Sequence, residues 1–239
     1  FPFETKAIKI GYSVSIGESS LEDIRGYSKY AKDFLYVGLR EKGAKEKVEA
    51  ICGHNVVDTV DPVLLLTRED WETFVDKSSP LAKEKYLLCY LIDKKPIKRN
   101  MAIAEQIAKE RGLKIKYIWM HLEKESFRGN FINDASPVEF LNYVYHASAV
   151  MTDGYHGTVF STIFNKPMYS VINNRQSTDS RIRDYLTLIG LESRIFNGDA
   201  PVIPKEEIDY TEVDPKIRSV ADASKAFLQS AIDNERVVR

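Results

Sequence analysis

Short apolar runs alternate along the chain with longer segments whose apolar residues recur at helical spacing. The runs have the length and composition of buried strands, and they occupy residues 7–16, 34–39, 55–60, 86–92, 114–120, 148–152 and 168–172. The amphipathic segments predict helices at residues 20–30, 44–52, 96–111, 136–147, 181–188 and 215–236. Strands that alternate with helices indicate an α/β protein built on doubly wound parallel sheets.

A segment rich in lysine, serine and proline, residues 77–83, is the best candidate for a linker. It divides the chain into an N-terminal domain, residues 1–80, and a C-terminal domain, residues 81–239. The first domain contains only three candidate strands, which are few for an independent sheet. We therefore predict that this domain is incomplete, and the pattern leaves open whether the last helix packs back on it.

The most informative stretch is residues 148–172, a predicted strand, turn, helix and second strand. Asp153 and Gly154 end the strand, and His156 follows where the helix starts. In open α/β sheets ligands bind beyond the carboxyl ends of the strands, and a helix N-terminus there attracts anions. A histidine beside glycine is also a common turn residue, and Asp153 can serve only as a helix cap. Gly154 and Gly157 favour a tight turn or a close ligand approach, but position alone leaves a functional and a structural role equally open.

A second charged position follows residues 34–39, the second predicted strand. This strand delivers Arg40 at its carboxyl end, which is the edge where parallel sheets bind ligands. Arg40 can equally be a surface residue paired with Glu41 or Glu46.

Composition narrows the function classes. The 239 residues are 44% hydrophobic and 29% charged, as in ordinary globular proteins, and the net charge of -1 argues against a general nucleic-acid binder.

Cys52 and Cys89 are far apart, and no cysteine or histidine spacing predicts a metal site. Cys89 lies in an apolar run and is expected to be a reduced core residue, which favours a cytoplasmic protein. No stretch reaches transmembrane length, no signal peptide is visible, and the start at Phe1 suggests a fragment or a processed product.

Six segments resemble, in the same order, the polysaccharide pyruvyl transferase family. They are SVSIG (13–17), LRE (39–41), DPVLLL (61–66), SPVEFL (136–141), TDGYHGTVFSTIFNKP (152–167) and RIRDYLTLIGLESR (181–194). The fifth is by far the most specific. The resemblance implies a GT-B-like fold, with two Rossmann-type domains facing a cleft. The opening glycine-rich turn of the family is missing here, and Gly43 stands where the family often has serine.

The resemblance also implies an activity. The family transfers the enolpyruvyl-derived unit of phosphoenolpyruvate onto two hydroxyls of a sugar, which forms a pyruvate ketal in a cell-surface polysaccharide or its precursor. Phosphoenolpyruvate is then the donor substrate, and no further cofactor is expected. The acceptor is a sugar or a lipid-linked oligosaccharide, so we expect a cytoplasmic protein with at most peripheral association at the inner membrane surface.

Site residues follow from the same resemblance. His156 is the candidate for acid–base catalysis or for stabilising the departing phosphate, since histidine titrates near neutral pH. Arg40 is the candidate for binding the donor carboxylate or phosphate. The other predicted substrate-binding residues lie around the histidine or after the next strand: Gly154, Tyr155, Gly157, Thr158, Lys166, Arg175 and Arg181. The arginines of this group can also form a solvated charged face, and Lys166 can be a solvated residue at a helix C-terminus.

Two other functions stay open. A GT-B glycosyltransferase with a nucleotide-sugar donor would have the same fold and the same anion site at a helix N-terminus. It would usually carry an acidic residue on the donor ribose, and neither Glu139 nor Glu192 has a supporting motif. The second alternative is a non-catalytic fragment that binds sugar.

Overall fold

A computed structural model of the chain describes residues 7–17, 19–93, 97–119, 131–173, 176–198, 202–204 and 206–238. The chain divides into two compact units. The first comprises Phe1–Leu66 and Thr211–Arg239, and the second comprises Thr67–Tyr210.

The first unit contains a parallel three-stranded sheet in the order β1-β2-β3, with β1 Lys9–Val14, β2 Phe34–Leu39 and β3 Val57–Asp58. Its connecting helices are α1 Leu21–Arg25, α2 Ser28–Ala31 and α3 Lys45–Cys52. The pattern over residues 20–30 predicts one helix, but the structure contains two, because Gly26 caps α1. Helix α1 begins with a capping box, in which the side chains of Ser20 and Asp23 each accept a hydrogen bond from the other's backbone N–H group.

The last helix, α9 Tyr210–Val238, groups with the first unit from Thr211 onward. There the hydroxyl of Ser224 accepts a hydrogen bond from the backbone N–H of Val60 at 3.0 Å. The helix begins before the predicted start, with Pro215 in its interior. Proline is preferred at the first helical position, so the sequence placed the start there, although proline is tolerated when only one backbone bond is lost.

The second unit is built on a parallel six-stranded sheet in the order β6-β5-β4-β7-β8-β9. Its strands are β4 Tyr86–Leu91, β5 Lys114–Trp119, β6 Phe131–Ile132, β7 Ala149–Thr152, β8 Met168–Val171 and β9 Ile195–Phe196. Counted from β4, this is the order 3-2-1-4-5-6 of Rossmann sheets. The doubly wound parallel sheet predicted from the sequence is therefore present. The outer strands β6 and β9 were not predicted, because each contains only two residues in a mostly polar segment.

Helices of the second unit are α4 Arg68–Glu72, α5 Ile97–Arg111, α6 Pro137–His146, α7 Tyr155–Ile163 and α8 Gln176–Ile189. Helix α6 starts as predicted, with Ser136 and Glu139 forming a capping box around Pro137. None of these helices, nor any other in the described part of the chain, is long and apolar enough to cross a membrane.

One apolar cluster of the second unit's core lies between the sheet and α5. It includes Leu87, Cys89 and Met151 on the central strands and Ile103 and Ile107 on the helix, all fully or almost fully buried. Burial raises the pKa of the Cys89 thiol, and both cysteines are free and buried.

The boundary between the units lies at Leu66, before the linker predicted at residues 77–83. Segment 67–80 packs on the second unit, where the Trp71 ring meets Phe160 edge-on at 4.9 Å between centroids. The backbone N–H of Asp76 also donates to the side chain of Asn142 at 2.8 Å. Serine and proline in this segment mark a turn rather than a domain boundary, since Ser79 caps a short 3-10 helix that starts at Pro80.

Candidate functional site

The carboxyl ends of β4 and β7 mark the point where the strand order of the second unit reverses. Strands β4 and β7 are neighbours in the sheet, while β5 and β8 extend it in opposite directions. Ligands of open α/β sheets bind in the crevice that this reversal opens beyond the strand ends. We call this location the switch point, and the residues that follow β4, β7 and β8 form its rim.

Asp153, directly after β7, is fully buried, and it connects the segments that follow three strands. Its carboxylate accepts the backbone N–H of Ile92 at 2.7 Å and of Asp93 at 3.3 Å, both after β4. It also accepts the side-chain N–H groups of Asn100 at 3.1 Å and Asn173 at 3.0 Å. Asp153 thus fixes the rim of the switch point, whereas the sequence suggested only a cap or turn residue.

Gly154 and Gly157 are packing residues of the turn into α7. A Cβ at Gly154 would lie 2.5 Å from the Ile92 side chain, and one at Gly157 would overlap the Thr152 hydroxyl and Tyr90. The glycines therefore let α7 approach β4 and β7 closely, and both residues are buried. Thr158 is also fully buried, with its hydroxyl 2.8 Å from that of Ser170, so the structure places all three side by side in the packed interior.

His156 is exposed in the first turn of α7, at the carboxyl edge of the sheet. The N-cap of this helix, Gly154, supplies no side-chain hydrogen bond to the helix N-terminus. The histidine ring meets the ring of Tyr155 at 5.5 Å between centroids, and the Arg181 guanidinium lies 5.6 Å from the same ring. The structure thus brings these three predicted site residues together.

Tyr155 itself is buried, with 6% of its surface exposed. Its ring contacts both His156 and Arg181. Its other aromatic neighbour is Tyr185 on α8, whose hydroxyl is 2.6 Å from that of Thr162.

Lys166 lies away from this group, just before β8, at the amino edge of the sheet. Burial and, to a smaller extent, the nearby Arg68 lower the pKa of its amine to about 8. The amine lies 5.3 Å from the centre of the Tyr145 ring. Helix α7 separates the two ends of this segment, so the structure does not bring Lys166 to the edge where His156 lies.

Arg40 follows β2 in the first unit, at the carboxyl edge of that sheet. Its guanidinium pairs with the buried carboxylate of Asp61, not with Glu41 or Glu46, which were the partners considered from the sequence. Its Nε is buried without a hydrogen-bond partner among the described residues. The neighbouring Glu41 accepts the backbone N–H groups of Ile16 and Gly17 at 3.2 and 3.3 Å.

Three polar residues at the switch point were missed by sequence reasoning: Arg99 and Asn100 in the first turn of α5, and Asn173 after β8. The rule that selected Arg40 and His156, proximity to the carboxyl end of a strand, selects these residues as well. Arg175 lies outside the described residues. Within the described ranges, no group of three or more histidine, cysteine or acidic side chains could hold a metal ion.

The sequence comparison identifies one family. A sequence profile described as polysaccharide pyruvyl transferase matches residues 3–175, which include Arg40 and His156 but not Arg181. A search of curated protein sequences found no significant match.

Solved structures with a similar fold are UDP-GlcNAc 2-epimerases. The enzyme from Rickettsia bellii is 14% identical with a TM-score of 0.55, and the match covers 96% of this chain and 67% of that one. The enzyme from Neisseria meningitidis, bound to UDP-GlcNAc, is 11% identical with a TM-score of 0.51, and the match covers 94% and 69%. For the enzyme from Methanocaldococcus jannaschii, the identity is 10%, the TM-score 0.52, and the coverage 87% and 61%. These neighbours have the GT-B fold, which confirms the predicted fold class. The chain spans 53% to 69% of the length of the epimerase structures it matches.

Proposed function

Because the chain belongs to the polysaccharide pyruvyl transferase family, we propose that it transfers the enolpyruvyl-derived unit of phosphoenolpyruvate onto two hydroxyls of a sugar. The observation that carries this proposal is the position of His156, exposed in the first turn of α7 at the switch point. The sugar belongs to a cell-surface polysaccharide or its lipid-linked precursor, and phosphoenolpyruvate is the donor without a further cofactor.

The chemistry needs a proton donor and an anion site. A proton adds to the methylene carbon of phosphoenolpyruvate, and a sugar hydroxyl attacks the carbon that bears the phosphate ester. The bond from that carbon to the phosphate oxygen breaks, inorganic phosphate leaves, and a second sugar hydroxyl closes the ketal. The two hydroxyl protons balance the protonated methyl group and the released phosphate. Histidine suits both the protonation and the hydroxyl deprotonation because it titrates near neutral pH.

The N-terminus of α7 supports binding of the anionic donor. The backbone N–H groups of a first helical turn and the helix dipole favour phosphate and carboxylate groups, and no side chain caps this helix at Gly154. Arg181 lies beside the same turn through its contact with Tyr155. Arg40, in the first unit, remains a proposed donor-binding residue on the family resemblance alone, and its guanidinium pairs with Asp61.

Nucleotide-sugar transfer is the competing function, since one structural neighbour is bound to UDP-GlcNAc. A shared fold does not decide between the two donors. Calorimetric titration of the chain with phosphoenolpyruvate and, separately, with uridine diphosphate separates them. Saturable binding of phosphoenolpyruvate that His156→Ala or Arg40→Ala weakens, without nucleotide binding, supports pyruvyl transfer. Binding of the nucleotide alone would overturn it in favour of glycosyl transfer.

A further inference from the structure

Arg99 lies in the first turn of α5, after β4, and neutral oxygens hold its guanidinium at the switch point. Its Nη2 donates to the backbone carbonyl of Ile172 at 2.9 Å and to the side-chain oxygen of Asn173. Both Nε and Nη2 donate to Oδ1 of Asn100 at 3.3 Å. The arginine of one strand-end segment is therefore bound to the segment that follows β8.

The two asparagines are oriented by Asp153. Each donates a side-chain N–H to the Asp153 carboxylate, at 3.1 Å from Asn100 and 3.0 Å from Asn173. An amide that gives its nitrogen to one partner must turn its oxygen the other way. Both oxygens consequently face Arg99, and the buried carboxylate sets the position of the guanidinium through one layer of amides.

Among the described residues, the positive charge of Arg99 has no direct acidic partner. The acceptors of its guanidinium there are all neutral, and no carboxylate oxygen of the described ranges lies within 4.0 Å of it. The residue is half-buried, so water screens the charge less than at an exposed surface. A guanidinium that is held in place by neutral oxygens is well suited to a planar or tetrahedral oxyanion, which the N–H groups of Nη1 can bind, because they donate to no described residue.

We propose that Arg99 binds the oxyanion of the donor at the switch point, on the second unit. This proposal rests on the proposed function for the identity of the donor, phosphoenolpyruvate, but the anion site itself rests on the network around Arg99. The oxyanion is a phosphate or a carboxylate, and the donor carries both groups. The guanidinium of Arg181 lies over the Tyr155 ring, so the two arginines have different surroundings.

Anion titrations of the folded chain test the proposal. The probes are phosphoenolpyruvate, inorganic phosphate, pyruvate and uridine diphosphate, each followed by calorimetry. Arg99→Met removes the charge, and Arg99→Lys keeps the charge but loses the planar guanidinium. Lys98→Met removes an exposed charge from the same helical turn and serves as the matched control. Thermal melting of each variant accompanies the titrations, to show that it is folded.

We expect Arg99→Met to weaken phosphoenolpyruvate binding about tenfold or more, Arg99→Lys to weaken it less, and Lys98→Met to leave it unchanged. Loss of phosphate binding with pyruvate binding retained would identify the bound group as the phosphate, and the reverse pattern would identify the carboxylate. If Arg99→Met does not fold, a weaker affinity of a normally melting Arg99→Lys supports the assignment.

Three results separate this inference from the proposed function. Equal affinities of the wild type and Arg99→Met for phosphoenolpyruvate would overturn the role of Arg99 and leave pyruvyl transfer standing. If the wild type binds uridine diphosphate but not phosphoenolpyruvate, and Arg99→Met weakens that binding, the anion site is supported. Phosphoenolpyruvate is then wrong as the donor. Failure of every probe to bind the wild type would overturn both.

Discussion

Asp153 combines a buried charge with four hydrogen bonds to described residues, so its chemistry explains how the segments at the switch point are held together. A carboxylate removed from water is costly unless donors surround it, and here two backbone and two amide N–H groups do so. An ionised carboxylate has two acceptor oxygens and no donor, so one small side chain can accept from all four. Substitution therefore disturbs three strand-end segments at once.

We predict that Asp153→Asn lowers the free energy of unfolding by about 2 kcal/mol. The new amide nitrogen would face N–H donors and leave them unsatisfied. Urea unfolding measures the change, and Asp134→Asn, at an exposed position, provides the control. An unfolding free energy of Asp153→Asn equal to that of the wild type would contradict the network as described.

Lys166 links local burial to the pH dependence of stability. Its pKa is lowered to about 8 in the folded protein and returns to the ordinary lysine value on unfolding. Between these two values the unfolded chain holds more protons than the folded one, so stability rises with pH in that window. Below pH 8 both states are charged, and the cost of the buried ammonium is fully present.

Lys166→Met should remove this rise, because methionine keeps the buried stem without the charge. We expect the difference in unfolding free energy between variant and wild type to favour the variant near pH 7 and to shrink toward about pH 10. Denaturation at several pH values checks this. A difference that is constant with pH would show that the amine is well solvated in the folded state.

Helix α7 owes its position to two glycines. A methyl group at Gly157 would overlap the Thr152 hydroxyl and the Tyr90 ring, and both of these belong to the central strands. Neither neighbour can move easily, because the Thr152 hydroxyl donates to the Tyr90 carbonyl at 2.8 Å. The close contact between α7 and the sheet brings His156 to the rim of the switch point.

Gly157→Ala is expected to cost about 2 kcal/mol of stability through overpacking, and to lower donor affinity because the first turn of α7 shifts. The control is Gly26→Ala, where a Cβ meets nothing within 4 Å and φ is -60°. Differential scanning calorimetry of both variants measures the loss of stability. Equal melting of Gly157→Ala and the wild type would refute the packing role.

The elements that could be predicted are those with a strong local signal. Strand β2 has its predicted limits, and α6 starts where it was predicted, because apolar runs and helix caps are encoded in adjacent residues. Strands β6 and β9 could not be found, since each has only two residues in a mostly polar segment, whereas the equally short β3 lies in the run predicted at residues 55–60. The same limit applies to the site: His156 was found from its position after a strand, whereas the Arg99 network depends on contacts between residues far apart in sequence.

The first unit is discontinuous in sequence, because the last helix belongs with the first 66 residues. The hydroxyl of Ser224 in this helix accepts a hydrogen bond from the backbone N–H of Val60, which lies 164 positions earlier in the sequence. Such a contact cannot be read from local patterns. It places part of the stability of the first unit in the last helix.

Ser224→Ala should leave the Val60 N–H unsatisfied and cost about 1 kcal/mol. We expect faster hydrogen exchange at the Val60 amide and unchanged exchange at the amides of β4 in the second unit. Mass-spectrometric exchange with site-resolving fragmentation measures both regions. Equal acceleration in β4 would indicate that the two units unfold together.

The most direct test of the proposed function is a transfer assay with carbon-13-labelled phosphoenolpyruvate and a panel of sugar acceptors. Nuclear magnetic resonance follows the conversion of the labelled methylene carbon into the methyl group of a ketal, together with release of inorganic phosphate. We predict ketal formation by the wild type, retention of activity in His146→Ala, and at least about a hundredfold slower reaction in His156→Ala. Ketal formation at an unchanged rate in His156→Ala, or transfer from a nucleotide sugar in place of phosphoenolpyruvate, would contradict it.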